Sequence, residues 1–61
     1  MRGYRFLVND HVTHKKNPKE YGAGTVLEIL PNNRYIIRWE DFTAIWKEEM
    51  EESSLAPDGE G

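Results

Sequence analysis

Gly24-Thr25-Val26-Leu27-Glu28-Ile29-Leu30 runs into Pro31-Asn32-Asn33-Arg34 and then into Tyr35-Ile36-Ile37-Arg38-Trp39. The first and last of these segments are rich in β-branched, aliphatic and aromatic residues, the composition of strands. The segment between them has Pro to fix φ and two Asn residues able to take φ > 0, which makes it a tight turn. Alternation places Tyr35, Ile37 and Trp39 on one face of the second strand, with Ile36 and Arg38 on the other. The stretch is therefore a β-hairpin, and the rest of the chain is read outward from it.

Downstream, Asp41 to Glu52 allows two readings. Phe42, Ile45, Trp46 and Met50 fit one helical face with Asp41 as N-cap. Against a helix, Glu48 and Glu52 repel at i, i+4, and glutamates crowd the end where the helix dipole is negative. We read Glu40-Asp41-Phe42 as a turn, Thr43 to Lys47 as a further strand, Glu48 to Ser54 as a helical turn and Leu55-Ala56 as a last short strand. Upstream, His11-Val12-Thr13-His14 alternates as a short strand after an Asn9-Asp10 turn. Lys15 to Ala23 contains Asn17-Pro18 and Tyr21-Gly22 and reads as a mobile basic loop. One domain is expected over residues 1–57, with residues 1–5 a flexible arm and 58–61 a disordered tail.

The 61 residues and the absence of cysteine bound the options. A chain this short buries only about 60% of its unfolded surface, which leaves no room for two domains or a deep enclosed active site. Without cysteine there is no disulfide framework or thiolate metal cluster, so a cytoplasmic setting is expected. Phe6-Leu7-Val8 is too short for a signal core or a membrane span. The net charge of −3 divides unevenly along the chain. Residues 1–38 hold seven Lys or Arg against three acids, whereas residues 39–61 hold Lys47 against eight acids.

Asn9-Asp10-His11-Val12, Gly24-Thr25-Val26, Arg34 to Asp41 and Ser54-Leu55-Ala56-Pro57 together resemble the SH3-like barrel group. Within it the chain is similar to Tudor-like and KOW-type modules and to the small barrel that closes UvrD-type helicases. The likeness covers about residues 6–57 and implies an all-β, five-stranded antiparallel barrel with a short helical turn before the last strand. Asn9 stands where such modules often place Gly, and Phe42 where the third turn often carries Gly. The core is expected to draw on Leu7, Val12, Val26, Ile29, Ile37, Trp39 and Leu55.

Two surfaces carry functional expectations. Tudor-like modules hold methylated ammonium groups in aromatic cages. The resemblance places Tyr21 and Trp39 as two walls, Asp41 as a charge partner and Phe42 as a third wall. Lys16 and Ile45 stand where further cage aromatics would be expected, and strand alternation reads Tyr35 and Trp39 as core residues. The second surface combines Lys15, Lys16, Lys19, Arg34 and Arg38 with Tyr21 and Trp39. Positive charge that tracks a phosphate backbone beside stacking rings binds single strands, and KOW-type modules contact RNA, ribosomes or RNA polymerase. The sequence pI of about 5.2 runs against a dedicated nucleic-acid binder.

No catalytic constellation is present. His11 and His14 lie on opposite faces of a strand and read as surface or edge residues. Glu48, Glu49, Glu51 and Glu52 form a solvated acidic turn, and Ser53-Ser54 has no partner base. No cofactor or metal is expected. The leading expectation is a monomeric, non-catalytic module that binds a protein of the transcription, translation or repair machinery, such as RNA polymerase, ribosome or helicase. Its contact surface is the 15–21 loop with the 38–42 turn. Direct binding of RNA or single-stranded DNA is the alternative. A phage or mobile-element accessory protein fits the same size. A remote alternative is a small tetrameric reductase of the type II dihydrofolate reductase kind, whose Gln-Ile-Tyr segment would fall near Ala44-Ile45-Trp46.

Overall fold

The computed structural model describes residues 6–58. The arm at 1–5 and all of the expected tail except Asp58 lie outside the described residues. The elements in chain order are β1 (His11–His14), a single helical turn α1 (Pro18–Tyr21), β2 (Ala23–Leu30), β3 (Arg34–Glu40), β4 (Ile45–Glu51), a 3-10 turn (Glu52–Ser54) and β5 (Leu55–Pro57). The five strands form one antiparallel sheet in the order β4-β3-β2-β1-β5, so the protein is all-β as expected.

The expected closed barrel is not what the strands build: among the described residues no ladder joins β4 to β5. The sheet nevertheless curls. Its two edge strands are linked by only the Glu52–Ser54 turn, whereas four flat inter-strand spacings would put them about 19 Å apart. A 3-10 turn rises only about 2 Å per residue, so this end of the sheet must bend toward itself. Glu52 N–H donates to the Asn33 carbonyl at 2.8 Å and Lys15 N–H to the Ser54 carbonyl at 2.8 Å, which tie the turn to both sides.

The central hairpin forms as read. Asn32 and Asn33 take φ of 64° and 60°, and the β2–β3 ladder runs from Ala23↔Glu40 to Leu30↔Arg34. A bulge at Leu27 interrupts it between Val26 and Glu28. The extra residue faces solvent, and Ile29 returns to the core side opposite Tyr35. The core is Phe6, Val12, Val26, Tyr35, Ile37, Trp39, Met50 and Leu55, with Tyr21, Ile29 and Trp46 packed against it. Trp39 is its largest fully buried side chain. Gly24, its cross-strand partner, is what admits the ring: a Cβ there would lie 2.6 Å from Trp39 Cζ3.

Several expectations are corrected. Leu7 is 41% exposed, and its neighbour Phe6, at 3%, takes the core place. The cause is the turn that follows. Leu7 N–H donates to Asp10 Oδ2 at 2.9 Å and Asp10 N–H to the Leu7 carbonyl at 3.0 Å, with Asn9 at φ 76°. This turns Leu7 outward, while Phe6 packs edge-on against Tyr35 at 5.6 Å. The Glu48–Ser54 helical turn shrinks to Glu52–Ser54, and β4 starts at Ile45 rather than Thr43. The seven residues of β3 pair with β4 throughout, from Glu40↔Ile45 to Arg34↔Glu51. Arg34 also reaches Glu49 at 2.9 Å and Glu51 at 3.7 Å across the strands, offsetting the crowding of acids. A continuous helix over 42–52 is thereby excluded. The Lys15–Ala23 stretch is not loop throughout, since Pro18 opens α1 and the Gly22 N–H closes it on the Pro18 carbonyl at 3.0 Å. His14, expected at the surface, is 9% exposed.

Candidate interaction site

α1 and the β3–β4 connection meet at one end of the sheet because Ala23 pairs with Glu40. Between them lies an open cleft of about 690 Å³, walled by Pro18, Lys19, Gly22 and Ala23 on one side and by Glu40, Asp41 and Phe42 on the other. Proline at the start of α1 supplies rigid φ, and the turn presents Pro18 and Lys19 to the cleft. Phe42 stands at the rim and is fully exposed. A phenylalanine held wholly in water is the largest departure from ordinary burial among the described residues.

Phe42 is held there by a well-bonded turn. Asp41 Oδ1 accepts from Thr43 N–H at 2.8 Å, Thr43 Oγ1–H at 2.9 Å and Ala44 N–H at 2.9 Å. Asp41 N–H donates to the Ala44 carbonyl at 3.0 Å. The bond from the Thr43 backbone, then those from its hydroxyl and from Ala44, hold the Asp41 carboxyl below its ordinary value. A carboxyl depressed on folding stabilises fully above its unfolded pKa, and that contribution is lost as pH falls through the folded value. Thermal melts of wild type between about pH 5 and pH 2 are expected to show this loss on the acid side. Asp41→Asn keeps an acceptor without the titrating charge and is expected to flatten that part of the profile; an unchanged acid limb would refute the assignment.

The four residues expected to form a cage are not brought together as one. Trp39 is fully buried, so it is corrected from a contact wall to a core residue. Its Nε1 has no hydrogen-bond partner among the described residues. Asp41 Oδ1 is engaged by the turn. Tyr21 is half-buried and stacks on His14, with ring centroids 4.1 Å apart and planes inclined by 19°. It also meets Trp39 edge-on at 4.9 Å and lies 6.3 Å from Trp46. Phe42 is the one of the four free to touch a partner with its whole ring.

His14 and Trp46 are the members of this cluster that sequence reading missed. His14 Nδ1 accepts from Lys16 N–H at 3.2 Å and Asn17 N–H at 3.0 Å, which anchors the entry to α1 beneath Tyr21. The signal for it was present: alternation in β1 puts His14 on the same face as Val12. Trp46 lies opposite Trp39, a placement that required the β4 register. Leu7, Val8 and Leu27 are further exposed apolar side chains that sequence reading did not single out as a surface.

The basic residues divide between two places. Lys15, Lys16 and Lys19 are exposed on and beside α1. Arg34 and Arg38 lie instead on the outward face of β3. The Arg34 guanidinium, bonded by Glu49 and next to Glu51, has its pKa raised. Arg38 lies 3.8 Å from Glu40 and opposite Lys47. Both arginines thus carry acidic partners on their own sheet. Among the described residues no group of three or more His, Asp or Glu is placed to hold a metal ion, and no helix is long and apolar enough to cross a membrane. No family model, curated protein or solved structure matches the chain.

Proposed function

We propose that the protein is a small, non-catalytic interaction module of SH3-like kind that captures another protein through Phe42 and the cleft beside it. The observation that carries this reading is Phe42 itself, an aromatic ring fully exposed on a turn fixed by four hydrogen bonds. A turn already held in place loses little backbone entropy on binding. Aromatic anchors set into a partner's pocket dominate interface energies. Pro18 and Ala23 supply apolar wall, and Lys19, Glu40 and Asp41 supply a charged rim of both signs. A cytoplasmic protein of the transcription, translation or repair machinery is the partner class that the family resemblance favours.

Phe42→Ala removes the ring without touching the core, so the fold is expected to hold within about 0.5 kcal/mol. Partner retention is expected to fall at least about tenfold, as for loss of an aromatic hot spot. Pull-down with quantitative mass spectrometry on wild type and variant reads both. A partner retained equally by the variant removes Phe42 from the site. Loss of retention on replacing Lys15, Lys16 and Lys19 by Gln, with steep weakening in salt and Phe42 intact, would instead favour nucleic acid.

A further inference from the structure

The α1 turn has no side-chain cap at Asn17. The chain enters it through Lys16 and Asn17, and both of their N–H groups go to one atom, His14 Nδ1, at 3.2 and 3.0 Å. The Asn17 carbonyl in turn accepts Glu20 N–H and Tyr21 N–H, each at 3.2 Å. The Tyr21 ring closes the circuit by stacking on the His14 ring at 4.1 Å. One imidazole therefore holds both ends of α1. That turn gives the cleft Pro18 and Lys19, with Gly22 directly after it.

A nitrogen that accepts two N–H bonds keeps its lone pair for them, so the neutral ring carries its proton on Nε2. Protonation would set a third N–H against the other two. Turning the ring over would put a carbon there, which accepts nothing either. At 9% exposure the ring cannot exchange these bonds for water without moving. Among the described residues no carboxylate pairs with it. The titratable groups on the elements around it are Lys15 and Lys16 after β1, and Lys19, Glu20 and the Tyr21 phenol on α1. From β3 comes Trp39, 6.3 Å away, and from β5 Leu55, its partner in the ladder. Three lysines against one glutamate offer an imidazolium repulsion rather than a counter-charge. His11, the other histidine, is exposed on the opposite face of β1.

We propose that His14 is a proton-operated latch on the α1 wall of the cleft. With the ring neutral, Lys16, Asn17 and Tyr21 are held and the wall stands. With the ring protonated, both N–H bonds and the stack are lost together, and Pro18 and Lys19 lose their fixed place beside Phe42. Histidine changes charge between about pH 5 and pH 8. Because the folded state bonds the neutral ring, the contribution of the latch is full at the upper end of that range and is lost as pH falls. That an open latch weakens partner capture rests on the reading of the Phe42 cleft given above; the latch itself does not.

The test follows the full 61-residue chain, isotopically labelled, by NMR from about pH 8 to about pH 5. At the upper end the His14 ring is expected to show its proton on Nε2 and none on Nδ1. On acidification the Lys16 and Asn17 amides and the Tyr21 ring are expected to shift with the same midpoint as the His14 ring. Asp41, Thr43 and Ala44, in the turn that holds Phe42, are expected to move little. The melting temperature is expected to fall by at least about 4 °C over this range. His11→Gln is expected to keep that fall. His14→Asn sets an amide oxygen where Nδ1 lies and does not titrate. It is expected to melt lower at the upper pH, for want of the stack, and to lose the acid-dependent fall. Should that variant not fold, the wild-type spectra decide. Three results each overturn the proposal: a proton on Nδ1 of the neutral ring, Lys16 and Asn17 amides that do not titrate with His14, or an acid-dependent fall that persists in a folded His14→Asn. None of these measurements involves a partner, so failure of the latch and failure of the Phe42 reading are told apart.

Discussion

Trp39→Ala is expected to remove most of the protein's folding stability. Removing a buried tryptophan side chain costs about 3–5 kcal/mol through lost burial and the cavity left behind. A chain of 61 residues has in total only roughly 3–9 kcal/mol of stability, at typical values per residue. Collapse cannot refill the space easily, because the ring is wedged against Gly24, which has no side chain to move, and meets Tyr21 edge-on. Urea unfolding followed by circular dichroism reads the result directly. Trp39→Phe isolates a second effect. It leaves a smaller cavity and also removes the indole N–H, which is buried without a partner among the described residues, so its loss is expected to be well below that of alanine. A wild-type midpoint for Trp39→Ala would show that the ring is not a core element. Loss of partner binding in that variant would reflect unfolding rather than a lost contact.

Gly22→Ala is expected to be the second severe substitution, though it removes nothing. Gly22 sits at φ 74° and ψ −143°, a region open essentially to glycine alone. A Cβ there would press on the Glu40 carbonyl oxygen, with the Glu40 carbon at 3.0 Å and Asp41 Cβ at 3.1 Å. Backbone strain of about 1–3 kcal/mol adds to that overlap, so the melting temperature is expected to drop by at least about 10 °C. A D-alanine placed at this position by chemical synthesis prefers φ > 0 and is expected to recover the strain component. An unchanged melting temperature for the L-variant would mean that α1 and the β3–β4 turn are not held together as described. The same glycine sets the width of the cleft beside Phe42, so stability and recognition meet at one residue.

The central hairpin was legible because its signals are local: two strand-like runs and a turn with Pro and Asn, all within sixteen residues. β4 was legible only in part. Its glutamates look unfavourable in any regular structure until Arg34 from β3 lies across from Glu49 and Glu51, and that pairing depends on register. Leu7 and Phe6 exchanged places for a similar reason. Both are apolar, and only the bond from Leu7 N–H to Asp10 decides which one turns inward. At the candidate site, Phe42 was visible as an aromatic where a turn ordinarily takes glycine. Trp39 was visible both as a strand-face core residue and as a cage wall, and complete burial decides for the core. The stacking of Tyr21 on His14 needed the course of α1, which the Asn-Pro and Tyr-Gly pairs marked only as irregular.

Glu48 is also placed to guard strand alignment. It shares the core side of β4 with Trp46 and Met50 and lies opposite Ile37, where it remains exposed. A slip of β4 by two residues would keep every side chain on its own face, so apolar patterning alone opposes it weakly. Such a slip would carry the Glu48 carboxylate either opposite Tyr35, into the place where Met50 is now buried, or opposite Trp39, into the half-buried place of Trp46. An ionised group forced into that setting without a partner is strongly disfavoured. One charged residue on the apolar side of an edge strand thereby rejects the misaligned hairpins that its hydrophobic neighbours would tolerate.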